Sequence, residues 1–362
     1  MNDEKSKPAV YNTQYNSNNL DIVWLRINAF LSLKSTNTQI TYLGIINEWC
    51  SFLGVQAGSE NASKAILSAT DLHAIAYRNW LESRPGQRPR YQRSGSNSKQ
   101  IEVNGRLHYK RDGLQGSQTN STIKKKFAAL RRIYRMLIAS NVGITSNPFD
   151  PDKVPSPSAR SGQKRPTEMI DFSHVEDIHE KPDPNTKKGI RDRAILALLF
   201  GAGLRRSEVT NLRLCDFQTS PAGTPFIRLR ATKNKKDTDQ ALPPWAAETL
   251  KNLYDQRIAE NADLGDPFFI SYRGPSAKDG NKQQLTTNGL YRIFKEYCFQ
   301  CGANRYATPH SARATAITKL LSDGVEHREV QEFSRHSSIQ MVEVYDKRRY
   351  SIEQNPGKKL KY

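Results

Sequence analysis

Five prolines, Pro148, Pro151, Pro155, Pro157 and Pro166, fall between Asn147 and Thr167. No helix or strand ladder survives that density of fixed φ angles and missing N–H donors. The 362-residue chain is thereby divided in two, and each part is long enough to bury a core of its own. Residues 148–167 read as a Pro-rich linker between one domain at 21–147 and a second at 168–350. Residues 1–20, rich in Asn and Ser and without apolar periodicity, read as a disordered tail, and 351–362 as a C-terminal tail.

Helical periodicity dominates the first domain. After Ser35, Thr36-x-x-Gln39 can form a capping box, and Ile40, Leu43, Ile46, Cys50 and Leu53 keep helical spacing. Leu72, Ile75, Ala76 and Trp80 predict a second helix over Asp71–Glu82. The pattern is strongest from Ser121 to Ala139, where Ile123, Phe127, Leu130, Tyr134, Leu137 and Ile138 share a stripe and Lys124, Arg131 and Arg135 line the other side. Between these helices, residues 84–118 form a Gly/Ser/Arg-rich insertion. Within it, Ile101 to Tyr109 alternates around Asn104-Gly105, a strong signal for a β-hairpin.

Charge narrows the class of partner. The chain carries +19 at pH 7, and the window from Arg84 to Arg135 supplies most of it, its many Lys and Arg residues opposed only by Glu102 and Asp112. Clustering of this kind is the footprint of a phosphate-binding surface, and it makes Lys124, Lys125, Arg131 and Arg135 candidate DNA-binding residues. The longest uncharged apolar stretch, Ala194–Leu204, falls short of the ~18 residues of a membrane span, so a soluble, cytoplasmic, nucleoid-associated protein without membrane partners is expected. Cys298 and Cys301 form a single C-x-x-C pair, which cannot complete a tetrahedral shell, so no metal is expected.

The second domain reads as mostly helical. An apolar helix from Arg193 to Phe200 ends at Gly201-Ala-Gly203, and Ser207 begins the next. Phe226–Arg230 and Gln240–Leu242 read as short strands joined by the charged turn Lys233–Asp239. A later helix has Thr308 as N-cap, Pro309 at its first position and Gly324 as its stop. A last helix is expected from Ser337-x-x-Gln340, with Met341, Val342 and Tyr345 on one face. The fold class expected is therefore mainly α with a small β-sheet.

Arg313 shares a stripe with Ile317 and Leu320, so its side chain is directed at the core, where a guanidinium needs an anion. His310 lies at i−3, and both stand at a helix N-terminus that already favours phosphate. Along the chain come Gly203-Leu-Arg205-Arg-Ser-Glu208, Lys233 in its turn, Pro309-His310-x-x-Arg313, His336, and Tyr345 nine positions later. In this order the set resembles the catalytic signature of the tyrosine recombinase (phage integrase) family, and the helices of 36–52 and 121–149 are similar to that family's core-binding domain.

The resemblance implies a two-domain clamp on double-stranded DNA, with an α+β catalytic domain behind a helical core-binding domain, in a prokaryotic site-specific recombinase or integrase. It assigns Arg205 and Arg313 to the scissile phosphate, Lys233 to protonation of the leaving 5′-hydroxyl, His310 and His336 to phosphate oxygens or the tyrosine proton, and Tyr345 to nucleophilic attack. Lys235 and Lys236 crowd the same turn as Lys233, and Tyr350 is the nearby rival to Tyr345. No cofactor is implied, since the bond energy is kept in a 3′-phosphotyrosine. The partners implied are a specific DNA site and further copies of the chain in a synaptic tetramer. The alternatives are an inactive architectural DNA-binding protein and a type IB topoisomerase or telomere resolvase. Glu208 and Asp216 read as structural partners of nearby cations. Arg335 departs from the pattern, standing where the family usually has Gly before its second His.

Overall fold

The computed structural model describes residues 21–83, 85–89, 100–103, 106–109, 115–117, 119–157, 167–230, 237–272, 283–304 and 306–346. The chain forms two compact units, Met1–Lys164 and Arg165–Tyr362, mostly helical with one small three-stranded sheet in the second.

In the first unit, helices Ile22–Ser32, Thr36–Phe52, Glu60–Ser68, Asp71–Ser83 and Asn120–Ala139 enclose an apolar core. Trp49 sits fully buried in it, with Tyr77 and Phe149 edge-on at ring centroid distances of 5.0 Å each. Its indole Nε1 donates to the Tyr134 hydroxyl at 3.0 Å, and that hydroxyl donates to the Ile66 carbonyl at 3.1 Å. One relay thus satisfies every polar atom that these two side chains take out of water.

The Asn120–Ala139 helix buries Ile123, Phe127, Leu130, Tyr134 and Leu137 as its stripe requires, and Thr119 caps it by accepting from the Thr122 N–H at 3.3 Å. Two other faces differ from expectation. Thr36–Phe52 turns Ile45, Ile46, Trp49 and Cys50 inward and leaves Ile40 exposed. Ser35, not Thr36, is its N-cap, and the Gln39 amide reaches the Lys34 carbonyl at 2.8 Å. In Asp71–Ser83 the buried residues are Ala74, Tyr77 and Leu81, while Leu72 and Ile75 face solvent. There the packing follows the Tyr77 ring into the Trp49 cluster instead of maximising aliphatic burial.

The expected pairing within 101–109 is present, Gln100–Val103 lying antiparallel to Arg106–Tyr109; Asn104 and Gly105 lie outside the described residues. Pro85–Pro89 pairs with Gln115–Ser117 at the base of the insertion. The proline-rich stretch is not all linker. Phe149 and Val154 are buried in the first core, so the chain leaves that unit only beyond Val154.

The second unit is built round Lys187–Gly201, whose residues Ala194 to Phe200 are all buried. This helix packs against Pro244–Ala259 and Pro309–Ser322. Its only buried charges form a closed network: Asp192 accepts from Arg191 at 2.6 Å and from the Tyr297 hydroxyl at 2.9 Å, and Arg191 also donates to the Ile270 carbonyl at 3.0 Å. Burial nevertheless raises the Asp192 carboxyl pKa, against the pull of Arg191. The antiparallel sheet runs in the order Phe217–Thr219, Pro225–Leu229, Thr238–Ala241, one strand more than the sequence pattern predicts. Among the described residues, no helix is long and apolar enough to cross a membrane.

The Trp49 relay yields a stability test. Tyr134→Phe keeps the ring and strips the hydroxyl, leaving the Trp49 Nε1–H and the Ile66 carbonyl buried without partners. A loss of about 1–3 kcal/mol is expected in urea unfolding of the full chain. An unchanged midpoint would show the relay to be dispensable.

Candidate active site

The site is assembled at the C-terminal end of the buried Lys187–Gly201 helix. The chain turns there through Gly203 at φ +57, where an added Cβ would lie 3.0 Å from the Phe333 ring. Glycine is required on both counts, conformation and space. The turn delivers Arg205 as N-cap of the short Arg206–Thr210 helix, one residue pair earlier than the Ser207 start expected from sequence. The Glu208 carboxylate folds back over it, accepting from the Arg205 backbone N–H at 2.8 Å and from its guanidinium Nη1 at 2.7 Å. The Arg205 side chain remains 33% exposed, so its remaining donors are open to solvent.

Pro309–Ser322 presents Arg313 on its buried face, 1% exposed, as the stripe with Ile317 implies. Its guanidinium donates to two backbone carbonyls, that of Gly203 at 2.5 Å and that of Ser334. The arginine therefore staples the Gly203 turn to the end of the His327–Ser334 helix. Its Nε has no hydrogen-bond partner among the described residues. Burial first, then the neighbouring Arg205 and Arg335, push the Arg313 pKa down to about 9, and the group stays cationic at pH 7. His310, one turn earlier, is exposed at the helix start.

His336 follows the His327–Ser334 helix. Its Nδ1 is bonded to Ser334 Oγ at 2.9 Å, and its carbonyl accepts from the Gln331 amide at 3.1 Å. The Tyr345 ring lies parallel to the imidazole, at an interplanar angle of 6° and a centroid separation of 6.1 Å. The helix carrying this segment is shorter than expected, Gln340–Glu343, with Ile339 as N-cap. Met341 is exposed, and the half-buried Tyr345 packs on the small cluster of Ile317, Leu321, Val330 and Val342. Directly after it, Asp346 pairs with His327 at 3.0 Å.

The electrostatics agree with the geometry. Desolvation, then Arg313, Arg205, His310 and Arg335, lowers the His336 pKa to about 4. The same kinds of influence, desolvation followed by Arg313 and Arg205, lower that of His310. Burial raises the Tyr345 phenol, while Arg313, a hydrogen bond with Thr167, and Arg205 act the other way. The cleft thus holds guanidiniums in excess over its one carboxylate, neutral imidazoles and a neutral phenol, an arrangement that lacks an anion.

The structure brings Arg205, His310, Arg313, His336 and Tyr345 together. Lys233, with Lys235 and Lys236, lies outside the described residues. In the first unit Lys124, Lys125 and Arg135 are exposed, whereas Arg131 is half-buried and donates to the Phe149 carbonyl at 2.7 Å, away from the basic face assigned to it. Glu208 and Asp216 are structural partners, Asp216 taking Arg230 at 2.7 Å. No cluster of metal-ligating side chains occurs among the described residues. Sequence reasoning placed Arg335 only as a departure beside His336. Its contact with Glu208, 127 positions earlier, had no local signal except a bulky residue in a turn that favours glycine.

Comparison with known proteins follows this geometry. Residues 168–351 match the Phage integrase family. The tyrosine recombinase XerD of Lacticaseibacillus casei is 30% identical over 229 residues, 62% of this chain and 71% of the relative. The tyrosine recombinase XerA of Pyrococcus furiosus is 32% identical over 159 residues, 44% and 51% of the respective chains. Among solved structures, the Tn1549 transposon integrase in complex with circular intermediate DNA superposes at a TM-score of 0.60 with 16% identity, covering 95% of this chain and 100% of that one. A lambda integrase dimer bound to a COC′ core site gives 0.55 with 12% identity, covering 89% and 93%. The chain belongs to the phage integrase family, the tyrosine recombinases. It is a site-specific DNA recombinase, and the relatives do not favour the architectural, topoisomerase or telomere-resolvase alternatives.

The depressed His336 pKa fixes the sign of a pH effect. Between about 4 and 6.5 the unfolded chain binds a proton that the folded site refuses, so this contribution to stability is full above 6.5 and is lost as pH falls toward 4. His179, half-buried and pushed down to about 4 by desolvation and then Arg193, acts in the same direction. The unfolding free energy is expected to fall with pH in this window, by up to about 1.4 kcal/mol per pH unit for each such histidine, and His336→Asn should flatten the slope. In an NMR titration of the DNA-free chain, a His336 midpoint at its ordinary 6.5 would overturn the electrostatic picture.

Proposed function

We propose that the chain cuts and rejoins duplex DNA at a specific site through a covalent 3′-phosphotyrosine on Tyr345. The observation that carries this reading is the convergence of Arg205, Arg313, His336 and Tyr345, from four separated segments, on one cation-rich cleft with the phenol parallel to an imidazole.

In this reading the scissile phosphate supplies the missing anion. Arg205, with donors open to solvent, binds its non-bridging oxygens, and Arg313 adds charge from beneath and holds the cleft together. The Ser334 hydroxyl directs its proton to the Gln331 carbonyl at 3.3 Å and accepts from His336 Nδ1–H, which leaves the Nε2 lone pair free. An arriving phosphate raises the basicity of both imidazoles, so His336 can take the phenolic proton as Tyr345 Oη bonds to phosphorus. The P–O5′ bond breaks, and Lys233 gives the departing 5′-oxygen its proton. His310 donates to a phosphate oxygen. Reversal of the same steps by a different 5′-hydroxyl joins the strands. No ATP or metal enters the sequence of steps.

The exposed Lys124, Lys125 and Arg135 would meet the DNA backbone from the first unit. We further propose that four copies pair two sites. The second unit carries a groove of about 730 Å³ lined by Phe172, His179, Trp245, Leu320 and Phe333 among others, and Phe172 and Trp245 are both exposed, which suits the docking of a segment from a neighbouring copy.

Incubation with a nicked suicide substrate should trap a denaturation-resistant protein–DNA adduct, absent with Tyr345→Phe. Persistence of the adduct in that variant would move the nucleophile elsewhere. Arg205→Ala should slow single-turnover cleavage by about 10²–10³-fold.

A sulfur-bridged 5′ leaving group separates the lysines of the turn, because a thiolate departs without a proton. Cleavage lost in Lys233→Ala should return on that substrate. Rescue of Lys235→Ala in its place would reassign the general acid.

A further inference from the structure

Arg335 stands in the left-handed region, at φ 53 and ψ 41, as the C-cap of the His327–Ser334 helix. Glycine enters this conformation freely and an L side chain does so at a cost. Stability alone would place glycine here, so the presence of arginine calls for something its side chain does. That side chain is 7% exposed, and its Nε is buried without a hydrogen-bond partner among the described residues, a second cost.

What the guanidinium does is join three elements. Its Nη2 donates to Glu208 Oε2 at 3.1 Å on the short helix that Arg205 caps. Its Nη1 donates to the side-chain oxygen of Gln240, buried on the Thr238–Ala241 strand, and to the Phe333 carbonyl at 3.0 Å beside His336. Glu208 therefore lies between two guanidiniums, with Arg205 on its other side at 2.7 Å. A carboxylate with Arg205 as its sole countercharge would hold that residue tightly and compete with a phosphate for it. Sharing the carboxylate with Arg335 fixes Glu208 in place and leaves Arg205 cationic toward an anion.

We propose that Arg335 is a positioning residue for DNA cleavage, which acts through Glu208 to set Arg205 against the scissile phosphate and ties that helix to the Thr238–Ala241 strand. The proposal rests on the recombinase reading of the cleft. It concerns a residue that touches neither the phosphate nor the nucleophile.

The test uses the full chain, the nicked suicide substrate, and urea unfolding alongside. Arg335→Gly should leave the unfolding midpoint close to that of the unmutated chain, since relief of the left-handed backbone offsets the lost ion pair. Its single-turnover cleavage should fall by about 10–100-fold, the scale of a misplaced catalytic group, with DNA affinity changed by less than about threefold. Arg335→Lys keeps the charge without the fork and should recover only part of the rate. Gln240→Leu leaves the turn untouched and removes one anchor. It should slow cleavage in the presence of Arg335 and have no further effect in the Arg335→Gly background, a coupling that simple filling of space would not produce.

Cleavage by Arg335→Gly at the normal rate, or additive effects of the two substitutions, would overturn the proposal while leaving the phosphotyrosine reading intact. Absence of an adduct with the unmutated chain would remove that reading and this inference together.

Discussion

Three guanidiniums, those of Arg205, Arg313 and Arg335, gather round a single carboxylate, Glu208, in a cleft where water is partly excluded. Like charges so placed repel one another, and burial adds to the penalty. The fold accepts this because backbone carbonyls and one acid are aimed at the cations. Much of the second unit can be read as the scaffold that keeps this surplus of charge in position until an anion arrives.

Gly203 is where that scaffold is most exacting. Its carbonyl accepts from Arg313, the space a side chain would need is taken by the Phe333 ring, and its left-handed turn leads into Arg205. One residue thus links the end of the most buried helix to both arginines. Behind it, the Arg191–Asp192–Tyr297 network satisfies the two buried charges of the central helix within its own unit.

The fold and the candidate site were legible in the amino-acid sequence to different degrees. The apolar face of Asn120–Ala139 could be read closely, because a helix with one apolar stripe has one way to bury it, although Ile138 lies only at its edge and the buried Ile133 belongs to it as well. Asp71–Ser83 could be placed but not oriented. Leu72 and Ile75 are more apolar than Ala74, yet the aromatic cluster at Trp49 drew in Tyr77 and turned the helix with it. The strand Phe217–Thr219 is too short to show alternation, and its pairing with Pro225–Leu229 is a tertiary fact. The candidate site residues were legible through the family resemblance, which supplies an order along the chain, whereas the chemistry itself fixes only which side chains must meet in space. Arg131 shows the limit of reading charge from a helical wheel: its stem starts on the basic side, and its head turns to a carbonyl eighteen positions away in the chain. Arg335 shows the limit for long-range pairing, since nothing near it in sequence names Glu208 or Gln240.

Tyr345 rests on a satellite cluster of four buried aliphatic residues, Ile317, Leu321, Val330 and Val342, separate from the main core of its unit, with the His327–Asp346 pair as a clasp just beyond it. The segment after His336 contributes only Val342 and Tyr345 to that patch, so displacing it exposes far less hydrocarbon than displacing the central helix would. The Tyr345 ring is therefore mounted on a small apolar patch of its own, where a change of position disturbs little of the packing that holds the rest of the unit.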